Sequence, residues 1–314
     1  MRIFANANYN FIRWRWHALI LSVVLIWSGV ASIYFKGGIP LGIEFTGGTA
    51  IVVRFVRPVG EDVIRKAVDP ISKDAVVQQY GQAVNREIVI RLPQIKGQEE
   101  GSHLEDDAKK VEQALQAAGV GQFEVRSKDS IGPVMGKDYQ SKGIGATIAA
   151  LGGILVYVAF RFRFTFAVGA IVAAFHDILI TIVFLTWFGY DLSLNIIAGL
   201  LTITGYSVND TIVVFDRVRE NQRLMRREPL DEIVNKSVNQ TLGRTIITSG
   251  VTALAVLSLY IFGGEVLRGF AFTMLVGVVT GTYSTVFIAA AIAIILSRRP
   301  QGLTQGQARN QKRA

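Results

Sequence analysis

The sequence predicts an α-helical polytopic membrane protein: six transmembrane helices with an α+β domain of ferredoxin-like pattern inserted on the extracytoplasmic side. Three observations predict it. Six apolar stretches are each long enough to cross a hydrocarbon core, residues 36–142 between the first two read as a soluble domain, and the positive charge collects on one side of the resulting topology. Half of the 314 residues are hydrophobic and the mean hydropathy is +0.37, more apolar surface than a globular fold of this length buries.

The first span is expected at 17–35, after a short N-terminal segment 1–16 that carries Arg13, Arg15 and the interfacial aromatics Trp14 and Trp16. Gly29-Val30-Ala31 has the small-x-small form of a cleavage site, but the apolar run continues to Phe35 and suits an uncleaved helix better than a signal peptide. A bundle over 143–296 supplies the other five: Gly143 to Phe160, Phe166 to Phe188, Leu192 to Phe215, Thr245 to Phe262 and Gly269 to Leu296. A basic tail, 297–314, follows.

Within 36–142 the pattern is strand, helix, strand, strand, helix, strand. The strand from Glu44 to Val56 ends in the β-branched run Ile51-Val52-Val53, and Glu61 to Val68 is helical. Ala75 to Tyr80 and Glu87 to Leu92 flank a turn at 81–86. Leu104 to Ala118 is an amphipathic helix closed by Gly119, and Gln122 to Ser127 is the last strand. That order is the split β-α-β pattern of ferredoxin-like folds.

Charge fixes the expected orientation. With the N-terminus inside, the cytoplasmic pieces hold 17 Lys and Arg against 5 acids, 36–142 holds 15 of each, and the short outer loops have Arg268 as their only base. The net charge of +9 is therefore a positive-inside excess, and a nucleic-acid partner is unnecessary to explain it. Disulfides and thiolate metal sites are excluded by the absence of cysteine, and His17, His103 and His176 are scattered. No Walker A, H-E-x-x-H or G-x-S-x-G pattern is present, so neither an enzyme reaction nor a cofactor is expected.

Ionisable groups inside spans are costly, and those that remain point to function. His176 and Asp177 lie near the middle of the third span, and Asp210, beside Asn209, lies in the fourth. Thr202, Tyr206 and Asp210 recur every four residues and are expected to face the bundle interior; Arg244, Thr248 and Thr252 form a similar stripe on the fifth helix. Asp210 and Arg244 are expected to pair, as a proton relay or as a structural ion pair, with Arg244 alternatively anchored at the interface. For His176 and Asp177 the choice is between a satisfied buried pair and proton transfer. Gly269, Thr273, Gly277, Gly281 and Thr285 give the sixth helix a small-residue packing face. The glycines of Gly42 to Gly48 lack the Lys-Ser/Thr of a phosphate cradle.

In this order the segments resemble the SecD/SecF family of the bacterial Sec protein-export machinery, within the resistance-nodulation-division superfamily. Gly42-Ile43-Glu44-Phe45-Thr46-Gly47-Gly48 is similar to the family's motif after the first helix, and Ser130-Ile131-Gly132-Pro133-Val134-Met135-Gly136 to the one before the second. Gly205 to Arg217, Asn239 to Thr245 and Gly281 to Ser284 extend the likeness into the last three spans. The resemblance implies half of a pseudo-symmetric twelve-helix transporter in the bacterial inner membrane. Its partners would be SecD, the SecYEG channel, YajC and the translocating polypeptide. It also implies a proton or sodium pathway through Asp210 and Arg244, with Asn209, Tyr206, Asp177 and His176 as further candidates. Two other readings stay open: a half-transporter for lipids or small molecules, and a scaffold that only stabilises a translocon.

Overall fold

The computed structural model describes residues 7–72, 75–80, 86–92, 104–131 and 133–297. The expected turn at 81–85, His103 and the tail beyond 297 lie outside these residues. After a 3-10 turn at Ile12–Trp14, α1 runs Arg15–Phe35 and α2 Ile43–Thr46, and then the inserted domain follows as β1 Gly48–Phe55, α3 Glu61–Val68, β2 Val76–Gln79, β3 Glu87–Leu92, α4 Leu104–Ala117 and β4 Phe123–Ile131. The bundle comprises α5 Pro133–Arg161, α6 Phe164–Trp187, α7 Leu194–Leu224, α8 Leu230–Phe262 and α9 Gly264–Ser284, continued by a π-helical turn Thr285–Ala289 and α10 Ala290–Ser297. Among the described residues six stretches are long and apolar enough to cross a membrane: Ile12–Phe35, Ser141–Arg161, Phe164–Trp187, Leu194–Leu224, Leu230–Phe262 and Leu267–Ser297.

The sheet order is β2-β3-β1-β4 with every neighbour antiparallel, the ferredoxin-like arrangement that the element order predicts. Residues 44–46 do not extend β1; they form α2, because Gly47 (φ +71°) and Gly48 (φ +114°) turn the chain sharply into the strand in backbone regions that L side chains avoid. Alternation then decides the faces. Ile51, Val53 and Phe55 of β1 and Ile88, Ile90 and Leu92 of β3 pack under Ile64 and Val68 of α3 and Val111 and Leu115 of α4. The opposite face of β3 presents Glu87, Val89 and Arg91, all buried.

That second face is buried because it rests on the bundle. Arg91 ion-pairs with Asp191 in the loop between α6 and α7, and fully buried Glu87 pairs with Arg268 at the start of α9 and, at 3.9 Å, with Arg54. Gln78 Nε2 donates to Gly189 O at 2.9 Å and to Asp191 Oδ1 at 3.2 Å. Below the sheet, Leu41 bridges Leu192, with Gly42 N donating to Leu192 O at 3.0 Å. Tyr190 stacks on Phe272 at 4.7 Å and meets Tyr80 edge-on at 5.5 Å. Glu44, Asp129, Asp191 and Arg91 line a cavity of about 240 Å³ between sheet and bundle. Burial pushes the Asp191 carboxyl up to about 6 against the pull of Arg91, and burial also raises Glu44 and Asp129.

On the other side of the membrane the helices exceed the predicted spans. Residues 216–244 are not a loop: α7 and α8 extend past the apolar zone and turn only at 225–229. Their extensions are amphipathic and zip together through Val218, Ile233, Val234 and Val238, and Asn221 Nδ2 donates to Ser237 Oγ and Gln240 Oε1, each at 2.8 Å. The N-terminal segment is pinned to this hairpin. Tyr9 N donates to Asn239 Oδ1 at 2.8 Å, Phe11 N to Asn235 Oδ1 at 2.9 Å, and Arg15 pairs with Asp231 at 2.8 Å. In the same way α5 begins at Pro133, a helical approach to the second span inside the segment assigned to the soluble domain.

The glycine face of α9 packs on α7, as its spacing predicts. A Cβ at Gly281 would lie 3.0 Å from Ser207 and one at Gly269 3.2 Å from Ile196, whereas one at Gly277 would fall inside the fully buried Ile203 side chain. Gly277→Ala is therefore expected to cost about 1–3 kcal/mol in unfolding from detergent, and the double change with Ile203→Ala to recover part of that cost. A separate expectation concerns the sheet's seat on the bundle. Asp191 is an ordinary carboxyl near 3.8 when undocked and titrates near 6 when docked, so docking takes up a proton. Its contribution is full in acid and lost as pH rises through about 6, a change of about 1 kcal/mol between pH 7 and pH 5. Hydrogen exchange at β3 and residues 188–193, corrected for intrinsic rate, should slow at the lower pH, and Asp191→Asn should remove that component.

Candidate functional site

Asp210 faces α8 from the seam where α7 and α8 meet. It is buried (8% exposed), and its Oδ1 accepts from Thr245 Oγ1 at 2.8 Å. Oδ2 is buried without a hydrogen-bond partner among the described residues. The predicted ion pair with Arg244 is not formed: Arg244 lies on the exposed side of α8 and has no carboxylate within 4 Å among the described residues. The helical step explains this. Thr245, one residue and 100° further round, occupies the inward position, and the buried line on α8 is Thr245, Ser249 and Val256 rather than Arg244, Thr248 and Thr252. Thr248 Oγ1 instead bonds back to Arg244 O at 2.9 Å.

One turn along the same seam, Tyr206 OH donates to Ser249 Oγ at 3.4 Å and Thr282 Oγ1 of α9 donates to the same oxygen at 2.8 Å. The expected inward stripe on α7 is thus only partly realised. Tyr206 is half-buried and Asp210 buried, but Thr202 and Asn209 are exposed outside this bundle, together with Gly205. The residues that face inward are Ile203, Thr204, Ser207, Val208 and Thr211.

His176 and Asp177 stand at the centre of the larger network. Asp177 is fully buried on α6, and its Oδ2 accepts from Ser207 Oγ of α7 at 2.5 Å and from Ser284 Oγ of α9 at 2.8 Å. Its Oδ1 lies 3.0 Å from His176 Nδ1, whose Nε2 lies 2.9 Å from Ser22 Oγ of α1. Ser22 Oγ is 3.2 Å from Tyr283 OH, which donates to Ala18 O at 2.7 Å. Four helices thereby close on one carboxylate.

The imidazole joins the Asp177 carboxylate of α6 to Ser22 of α1, and Ser22 in turn meets Tyr283 of α9. Next to it, Thr211 Oγ1 meets Thr285 Oγ1 at 2.9 Å in the π-helical turn, a local widening of α9 that recurs at functional sites. The histidine and the aspartate stand out in the sequence as charges within a span, whereas their partners do not. Serines and threonines at helical spacing are routine in spans, and only the fold shows which of them converge. Glu87, Arg91 and Asp191 were likewise not singled out; the alternating charges of Glu87-Ile88-Val89-Ile90-Arg91 and an acid in a short outer loop were the available signals.

The family model for the C-terminal part of the protein export membrane proteins SecD/SecF matches residues 110–299, and that for the SecD/SecF GG motif matches 35–59. The protein translocase subunit SecF of Rhodothermus marinus is 42% identical, covering 95% of this chain and 96% of the relative. That of Escherichia coli O157:H7 is 40% identical, over 95% of this chain and 90% of the relative. The crystal structure of SecDF from Thermus thermophilus, a translocon-associated membrane protein, superposes with a TM-score of 0.78 at 34% identity. This chain is covered over 95% of its length but spans only 40% of SecDF. On sequence, on the paired glycines of the GG motif and on the inserted sheet with its six spans, the chain belongs to the SecD/SecF family of protein-export membrane proteins.

Proposed function

We propose that this chain is the SecF-type half of an ion-driven export motor. With SecD it would use the proton or sodium gradient to promote emergence of secreted polypeptides from the SecYEG channel, with YajC as an accessory partner. Asp210 carries this reading: a carboxylate within a span, held on one oxygen by Thr245 and with the other buried and unpartnered among the described residues. The positive-inside excess supports both termini in the cytoplasm, the inserted domain outside and the bacterial inner membrane as the location.

A partner bundle is supported by what this one leaves uncovered. Asn209 of α7 and Arg244 of α8 are exposed, and polar groups do not stay bare in hydrocarbon. In the proposed cycle an ion or proton reaching Asp210 Oδ2 changes an acceptor into a neutral or donating group. The Asp210–Thr245 seam then repacks, with Arg244 beside it as the mobile positive charge. Each charge crossing the field contributes about 2.3 kcal/mol per 100 mV, a bias of roughly fifty-fold between two conformations. The movement reaches the inserted domain through Arg268 and Glu87 and through Asp191 and Arg91.

Asp210→Asn keeps an oxygen for Thr245, so unfolding should change by less than about 1 kcal/mol and assembly with SecD should persist, while gradient-dependent export falls to the level without the complex. Export at the normal rate would remove Asp210 from the ion path. A second variant separates coupling from framework. Ser284→Ala takes one of two hydroxyl donors from a fully buried carboxylate and should lower stability by about 1–3 kcal/mol without abolishing export. Loss of export at unchanged stability would instead put the His176–Asp177 network on the path.

A further inference from the structure

On the face opposite the inserted domain, the short connection from α5 to α6 and the extension of α7 enclose a cavity of about 470 Å³. Its rim is basic: Arg161 ends α5, Arg163 lies in the connection, Arg219 and Arg223 stand with Gln222 on α7, and Arg226 is in the turn that follows. Arg161 is matched by Asp216 at 2.5 Å, and Arg226 Nε donates to Arg223 O at 3.3 Å. Among the described residues Arg163, Arg219, Arg223 and Arg226 have no carboxylate within 4 Å, and all four are exposed. The nearby acid Glu220 is taken by Arg217 at 2.6 Å.

The floor is of a different character. Phe162 and Phe166 pack edge-on against Phe215 at 5.9 and 5.1 Å, and the Arg161 guanidinium lies 5.2 Å above the Phe162 ring. The cavity sits where two spans meet, Ser141–Arg161 and Phe164–Trp187, and Phe160 (89% exposed) and Phe164 (80%), next in sequence to its lining residues, are exposed.

A soluble protein would present such a cluster to a polyanion. Here it lies at the ends of two membrane-spanning helices, over an aromatic floor and beside the exposed Phe160 and Phe164 in sequence. We infer that this cavity binds the phosphate headgroup of an anionic phospholipid, with the acyl chains running along Phe160 and Phe164. Arginine suits the role because its planar fork grips phosphate oxygens in pairs and keeps its charge at any physiological pH. Basic pockets between spans on the cytoplasmic side take anionic headgroups by this chemistry. Positive-inside topology accounts for the number of these arginines but not for their convergence on one concave surface with an apolar floor.

The test uses the full chain, purified as it exists in its complex and exchanged into vesicles of phosphatidylcholine alone or with one-fifth phosphatidylglycerol, with bound lipid counted by native mass spectrometry. Phosphatidylglycerol is expected to be retained in preference to phosphatidylcholine. The double variant Arg219→Gln/Arg223→Gln should weaken retention roughly 25-fold, about fivefold per arginine. Arg227→Gln/Lys236→Gln, the same charge loss on the same hairpin outside the cavity, should leave it unchanged. Gln222→Glu places a carboxylate in the cavity without altering the Lys and Arg that set topology, and should weaken retention in a chain that still inserts correctly. Equal losses from the cavity and control doubles would overturn the site in favour of diffuse charge. Full competition by millimolar inorganic phosphate would overturn the lipid in favour of a free anion, and retention unaffected by Gln222→Glu would overturn the cavity.

Discussion

The approach of α9 to α7 is the contact on which the interior depends. Without side chains at Gly269, Gly277 and Gly281, the backbone of α9 comes close enough for Ile196, Ile203 and Ser207 to fill the space directly against it. Hydrophobic burial cannot bring two helices together inside a membrane, where lipid is as apolar as leucine, so this close fit and the polar contacts it permits do the work. The same proximity lets Ser207 and Ser284 reach one oxygen of Asp177. A fully buried carboxylate is costly when unmatched; with two hydroxyls and an imidazole around it, the group becomes a clasp for α1, α6, α7 and α9.

Helix α9 also connects the interior to the inserted domain. Near its start Arg268 holds buried Glu87 beneath the sheet, its middle carries the glycine face, and its end carries Tyr283, Ser284 and the π-helical turn. One rod therefore touches the domain, the packing seam and the polar network in sequence. The second attachment, Arg91 to Asp191, holds the loop that starts α7, the helix of Asp210. Both seams that contain membrane-embedded carboxylates are thus tied to the sheet.

Burial is uneven across the bundle: the spans of α1, α5 and α8 are largely exposed, and those of α6, α7 and α9 are not. α6, α7 and α9 bury their inward faces against each other, while α8 leaves Val251, Leu254 and Phe262 exposed alongside Arg244 and Thr248. The chain spans 40% of SecDF.

Much of the architecture was legible in the residues. Apolar length gave the six spans, alternation and turn residues gave the order of the inserted domain, and a four-residue glycine period gave the packing face of α9. Those features are local or periodic, and periodicity survives in one dimension. Which of two adjacent polar stripes turns inward was not legible. Arg244 and Thr245 differ by a single 100° step, and only the packing of α8 on α7 selected Thr245 for Asp210. For the same reason the partners of His176 and Asp177, and the ion pairs of Glu87 and Arg91 that seat the sheet, required the tertiary structure. Each joins residues far apart in the chain, and their meeting is set by helix crossings and strand faces rather than by any local pattern.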